Sequence, residues 1–286
     1  NKIADYISKK VADKLSGMCK TDRENYEKYW DDISPFIKFG CLKDEKFCDK
    51  MSDYMLFKNL EHKYLTLKDI AGEKPEKEEG KEIEKKTIFY VTDEQQQSQY
   101  INMFKAEGQD AVILTHNIDS AFISQLEQRN EHVKFQRIDA DLTDHFKEEV
   151  SEEDAKGLEE KKETLTEVFR KALSNEKLEV KVEKLKNENV ASMVTLSEES
   201  RRMQEMMKMY NMYGMDPSMF GTDVTLVLNA NHPLVQYVLE HKDGEHTEMF
   251  CKQLYDLALL SNKPLNPEEM TEFVKRSNEI MMLLAK

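Results

Sequence analysis

The chain has 286 residues, a formal net charge of −14 and 34% charged side chains. That acid excess argues against a nucleic-acid or anionic-membrane partner, because no basic patch is present to release phosphate counterions. No apolar run approaches the ~20 residues of a membrane span, and no secretory leader is visible, since Asn1-Lys2-Ile3 opens directly into a helical pattern.

The length predicts two or three domains. The missing initiator Met and a start inside an element read as a piece of a longer protein. Cys19, Cys41, Cys48 and Cys251 form no CxxC pair and no metal spacing, as expected of reduced thiols in the cytoplasm. His241 and His246 flank an Asp243-Gly244 turn without a third ligand at helical spacing, so no metal site is expected there.

In chain order, Ile3, Ile7, Val11 and Leu15 give a helix over 1–16. A second covers 22–39, with Tyr26, Tyr29, Trp30, Ile33 and Ile37 on its apolar side and Pro35 expected to bend or end it. A third covers 43–57, with Asp44 at its N-cap. Residues 1–71 thus read as a helical coil. Residues 72–86 are too charged to bury an apolar face and read as a loop.

Thr87–Val91, Ala111–Thr115 and Val133–Ile138 read as buried strands. The helices between them are expected at Thr92–Lys105, capped by Thr92-Asp93, and from Asn117-Ile118-Asp119 to Gln128. That β-α-β-α-β order over 87–143 implies a small parallel sheet. Its first turn, Val-Thr-Asp-Glu-Gln, has no glycines to cradle phosphate. Asp93, Asp119 and Asp139 lie near strand or helix ends. A carboxylate cluster is conceivable, but helix capping is the stronger reading for the first two. Residues 144–163 read as an acidic linker or exposed helix start.

Residues 164–286 read as an α+β domain. A helix at Leu165–Leu173 precedes strands at Leu178–Val182, Val190–Leu196 and Val224–Asn229, and Asn231-His232-Pro233 starts a helix to Glu240. Between the second and third of those strands lies a Met-rich segment. Seven of the 16 methionines fall between Met203 and Met219. On a helix, Met203, Met206, Met207, Tyr210 and Tyr213 share one stripe with Met209 at its edge. Ser197 and Ser200 are cap candidates, and Gly214 and Pro217 stop signals. Residue type alone favours packing on a core. The alternative is an adaptable contact surface, which flexible, polarizable Met side chains suit.

Two amphipathic helices close the chain. The first carries Phe250, Leu254, Leu257, Ala258 and Ser261 on one face. The second opens on Asn266-Pro267-Glu268-Glu269 and presents Phe273, Val274, Ser277, Ile280, Met281 and Leu284. Such an αα-hairpin either folds back on its own domain or pairs with a second copy as a four-helix bundle. The pattern leaves both open.

Ser200–Lys208 (SRRMQEMMK), Leu226–Val235 (LVLNANHPLV) and Leu254–Leu260 (LYDLALL) resemble the C-terminal domain of the heat-shock protein 90 chaperones of the bacterial HtpG type. Tyr26–Asp44 and Lys86–Thr92 are similar to that family's middle domain. The resemblance implies a middle-domain helical coil and small α/β subdomain followed by a dimerisation domain. It implies a homodimer through the final hairpin, and unfolded or partly folded client proteins as partners of the Met-rich helix. A client contact is carried over to Phe122, close after Ile118-Asp119. The family's ATP and Mg site and its ATP-contacting arginine are expected upstream of this sequence, which implies no cofactor and no ATP hydrolysis here. The ending Met-Met-Leu-Leu-Ala-Lys implies no acidic-tail-dependent cochaperones.

Two other functions lack the residues they need. A nucleotide- or small-ligand-binding enzyme built on 87–143 needs phosphate-binding glycines or a convergent polar cluster, and neither is visible. A membrane-surface or calmodulin-type helix at 200–213 has only Arg201, Arg202 and Lys208 as basic residues.

Overall fold

Trp30 is buried in the first hydrophobic core, with Tyr26 one turn before it and their ring centroids 5.4 Å apart. The computed structural model describes residues 2–75, 82–140, 144–198, 200–203 and 224–285. These form two compact units. The first draws on 1–94 and 109–138 with Arg202 and Met203, and the second on 95–108, 139–201 and 224–285.

In the first unit, α1 (Lys2–Thr21), α2 (Arg23–Lys43) and α3 (Glu45–Met51) pack on one another. Asp44 caps α3 as the sequence expects, its carboxylate accepting from the backbone N–H groups of Lys46 and Phe47. Pro35 does not end α2. Buried Trp30, Ser34, Ile37 and Cys41 hold the helix on both sides of the ring, which outweighs the one backbone hydrogen bond it removes.

The expected helix over 43–57 stops at Met51, and the 1–71 segment is not wholly helical. Leu56–Asn59 is β1 and Tyr64–Thr66 is β2, an antiparallel pair. β1 also pairs antiparallel with β4 (Val112–Ile113), which runs parallel to β3 (Lys86–Val91), itself parallel to β5 (Val133–Arg137). The order is β2-β1-β4-β3-β5, so the small sheet is mixed rather than the parallel three-stranded one expected. Met55, Leu56 and Phe57 are all buried. A strand covered on both faces shows no alternation, so its apolar run is indistinguishable from a continuing helix.

After β2, the capping box of Thr66 and Asp69 starts α4 (Leu67–Ala71), and Gly72 leaves it at φ +76°. Of the 72–86 loop, residues 76–81 lie outside the described residues; the rest carries no helix or strand before Lys86. α5 (Ser98–Ala106) begins five residues beyond Asp93, with Gln97 and not Thr92-Asp93 at its N-cap position. α5 packs in the second unit: the Tyr100 hydroxyl donates to the Val194 carbonyl at 2.7 Å, and Phe104 meets Phe146 at 4.8 Å. α6 (Asp119–Arg129) returns to the first unit.

In the second unit, much of the stretch expected as an acidic linker or an exposed helix start is the first half of α7 (Glu152–Leu173). The Ser151 hydroxyl caps it, and Leu158, Leu165, Phe169 and Ala172 form its buried stripe. The sheet follows with β6 (Glu179–Glu183), β7 (Ser192–Thr195) and β8 (Thr225–Asn229), in the order β6-β8-β7. Then come α8 (Pro233–Glu240), α9 (Thr247–Leu260) and α10 (Pro267–Leu284). The core lies between α7, the sheet and α9, around Phe169, Val180, Val194, Leu226, Leu228, Val238 and Leu254.

Candidate functional site

The root of the Met-rich segment is held by two neighbouring arginines. The Ser197 hydroxyl accepts from the Ser200 backbone N–H at 3.2 Å, capping a helical turn at 200–203. Arg201 is buried and donates to Asp139 Oδ2 at 3.1 Å in the second unit. Asn262, just after α9, donates to the same oxygen at 2.9 Å. Arg202 grips the first unit instead. Its guanidinium donates to Glu127 at 2.6 and 3.0 Å and to the Phe135 carbonyl at 3.0 Å. Met203 follows at 45% exposure, an apolar side chain open to solvent. Met206, Met207, Met209, Tyr210 and Tyr213 lie outside the described residues.

Phe122 is fully buried on α6, with Lys38 Nζ 5.7 Å from its ring centroid. It is a core side chain, not the exposed aromatic that the client contact carried over from the family would use. The spacing after Ile118-Asp119 puts the aromatic on the inner face of α6, with Ile123 and Leu126.

The carboxylates near strand and helix ends do not converge. Asp119 is ion-paired with buried Lys38, and its other oxygen accepts from the His116 backbone N–H at 2.9 Å. It therefore is no helix cap. Asp93 is exposed and starts no helix. Asp139 serves Arg201 and Asn262. Among the described residues no group of three or more His, Cys, Asp or Glu is placed to hold a metal ion.

The terminal hairpin sorts the expected dimer residues into two sets. Leu254 and Ala258 are buried in the core of their own unit. Phe250 is half-buried against Tyr237, with ring centroids 4.6 Å apart. Ser261 donates to Gln99 at 2.6 Å, and Ser277 accepts from Gln253 at 3.1 Å. Phe273 and Ile280 are half-buried. Leu257, Val274, Met281 and Leu284 are exposed, as is Met270. On α10, Met270, Val274, Ser277, Met281 and Leu284 follow the four-three spacing of a coiled-coil seam. Asn266 and Glu269 form the capping box that the sequence predicts.

Arg276 ties α10 to α9 through Asp256 and through Gln253, at 2.9 Å. Burial pushes the Asp256 carboxyl up, and Arg276 offsets part of that. A hollow of about 480 Å³ lies between the start of α9 and the end of α10, against Met249, Met282 and Leu283.

The sequence flagged the Met-rich stripe and the hairpin but missed what anchors them. In the sequence Arg201 and Arg202 stand out only as two of the three basic residues of the 200–213 segment. The available signal was Asp139, a carboxylate in the apolar surroundings of Ile138 and Ala140 with no helix following it directly.

A family model described as Hsp90 protein matches residues 1–286. The class is that of the chaperones: the chain belongs to the Hsp90 family. It is similar to "Chaperone protein htpG" of Bacteroides fragilis (strain YCH46), at 35% identity over 254 residues, 85% of this chain and 36% of that protein. "Chaperone protein HtpG" of Bacteroides thetaiotaomicron is 32% identical over 291 residues, covering 98% of this chain and 39% of its own length. The Porphyromonas gingivalis protein of the same name is 29% identical over 299 residues, covering 97% and 42%. The chain spans about two fifths of the length of these relatives.

Proposed function

We propose that this chain supplies homodimerisation and client binding to an ATP-dependent cytoplasmic chaperone, and performs no catalytic step itself. The observation that carries this reading is the exposed seam of α10. Met270, Val274, Met281 and Leu284 lie in the open while α9 buries Cys251, Leu254 and Ala258 in its own core. An apolar stripe at that spacing with no cover in one copy suits the same stripe of a second copy, giving a two-fold four-helix bundle. Met203, anchored behind by Arg201 and Arg202, opens the apolar segment that would meet unfolded or partly folded clients. Two copies on one dimer raise avidity through effective concentration. Nucleic acid and anionic membranes are poor partners for a chain of charge −14. Among the described residues no helix is long and apolar enough to cross a membrane.

The test is suppression of client aggregation by the full chain carrying Met203→Ser with Met206→Ser. Suppression falls while sedimentation still shows the dimer. Unchanged suppression places the client contact elsewhere.

A further inference from the structure

We propose that the outer edge of β5 takes an extended segment of client polypeptide as an added strand, and that the Arg202–Glu127 pair holds that place until it does. The proposal rests on the client-binding reading above and adds where an extended segment pairs.

Among the described residues β5 is the end strand of its sheet, paired on one side only, with β3. The bonds to β3 fix which backbone groups face it. The His132 carbonyl accepts from the Lys86 N–H at 2.8 Å, and the Ile138 N–H donates to the Tyr90 carbonyl at 2.9 Å. Along a parallel strand the N–H and C=O of one residue point to the same side, and the side alternates. Residues 132, 134, 136 and 138 therefore turn their backbone toward β3, and Val133, Phe135 and Arg137 turn theirs outward.

At Phe135 both outward groups are taken by side chains of the first unit. The Glu127 carboxylate accepts from the Phe135 N–H at 2.5 Å, and the Arg202 guanidinium donates to the Phe135 carbonyl at 3.0 Å. An acceptor and a donor thus meet Phe135 as the C=O and N–H of a neighbouring strand would. The same two side chains bond each other at 2.6 and 3.0 Å.

An uncovered strand edge invites pairing with another chain. Here the cover is exchangeable. A peptide group of an incoming segment replaces each bond to Phe135 one for one, while Arg202 and Glu127 leave as a pair, so no backbone group or charge is stranded. Their side chains are already 20% and 24% exposed, against 7% and 0% for Arg201 and Asp139, so the released pair goes to solvent. The occupant is an extended polypeptide because the row it meets is backbone. Met203 follows Arg202 directly, so the edge lies where the apolar client segment begins.

The test uses the full chain and a fluorescein-labelled octapeptide of alternating Val and Thr, with an analogue N-methylated at every amide, which keeps the side chains but has no N–H to donate. Glu127→Ala with Arg202→Ala opens the edge and should tighten the octapeptide at least about tenfold by fluorescence anisotropy, with no such gain for the analogue. Hydrogen exchange by NMR should show the Phe135 amide faster in this variant and slow again once the octapeptide is bound. Arg202→Lys keeps the charge but loses the two-pronged donor, and takes the place of the double variant where circular dichroism shows that one unfolded. No gain, an equal gain for both peptides, or a Phe135 amide that the octapeptide does not protect overturns the proposal. The client-binding reading fails by a different result, unchanged aggregation suppression in Met203→Ser with Met206→Ser.

Discussion

Arg201 and Asp139 form an ion pair at 3.1 Å with both side chains almost wholly buried. Asn262 shares the acceptor oxygen, so one carboxylate ties the root of the Met-rich segment to the turn between α9 and α10. Removing one member of a buried pair leaves its partner's charge without that compensation, which costs about 3–5 kcal/mol. Asp139→Ala is expected to destabilise the second unit by that amount, whereas Asn262→Ala loses a neutral donor and costs about 1–2 kcal/mol. Hydrogen exchange of the β7 and β8 amides in urea measures both. A cost for Asp139→Ala no larger than that for Asn262→Ala would show that the pair does not hold this unit.

Lys38 and Asp119 make a second buried pair, between α2 and α6 of the first unit. Lys38→Met leaves the buried Asp119 carboxylate without its Lys38 partner and should also cost about 3–5 kcal/mol. Lys38→Met with Asp119→Leu removes both charges and should cost clearly less than the two single changes together. Trp30, the only tryptophan, lies in the same core and reports the unfolding by fluorescence. Additive costs would mean that the two charges do not compensate each other.

Local signals in the sequence survived into the fold where a single element determined them. Asp44, His232 and the Asn266–Glu269 box each cap the helix expected of them, because a cap needs only its own neighbours. Pairing of distant segments was hidden. β1 is recognisable only once β4, some fifty residues on, lies beside it. α5 fits the β-α-β pattern yet packs in the other unit, because Tyr100 and Phe104 find Val194 and Phe146 there. The site was half legible for the same reason. The apolar seam of α10 is periodic and local, while Arg201, Asp139 and Asn262 meet from three separate stretches.

The hairpin residues divide into structural and interfacial ones, and the division predicts different failures. Leu257 and Met281 are open to solvent at 46% and 59%. Leu257→Asp with Met281→Asp should give folded monomers by sedimentation equilibrium at micromolar concentration, since a charge on the seam opposes pairing but leaves the core untouched. Leu254→Asp buries a carboxylate among Val194, Leu226 and Ala258 and should unfold the unit instead, visible as lost circular dichroism. A stable dimer in the double variant would place the interface off α10.

His132 sets a pH limit on the first unit. Its ring is buried at the start of β5, while its carbonyl accepts from the Lys86 N–H at 2.8 Å. Burial, with a smaller contribution from Lys74, holds the imidazole below its usual range. The unfolded chain, whose His titrates near about 6.5, then binds the proton more readily than the folded one. Above that pH both states are neutral and the group contributes nothing. As the pH falls through about 6.5 toward the lower folded value, protonation of the unfolded chain erodes stability, and below the folded value the loss levels off. Urea unfolding followed by Trp30 fluorescence should therefore show a fall in stability from neutral pH to about pH 5 that is smaller in His132→Phe. An equal fall in both proteins would assign the acid sensitivity to the carboxylates instead.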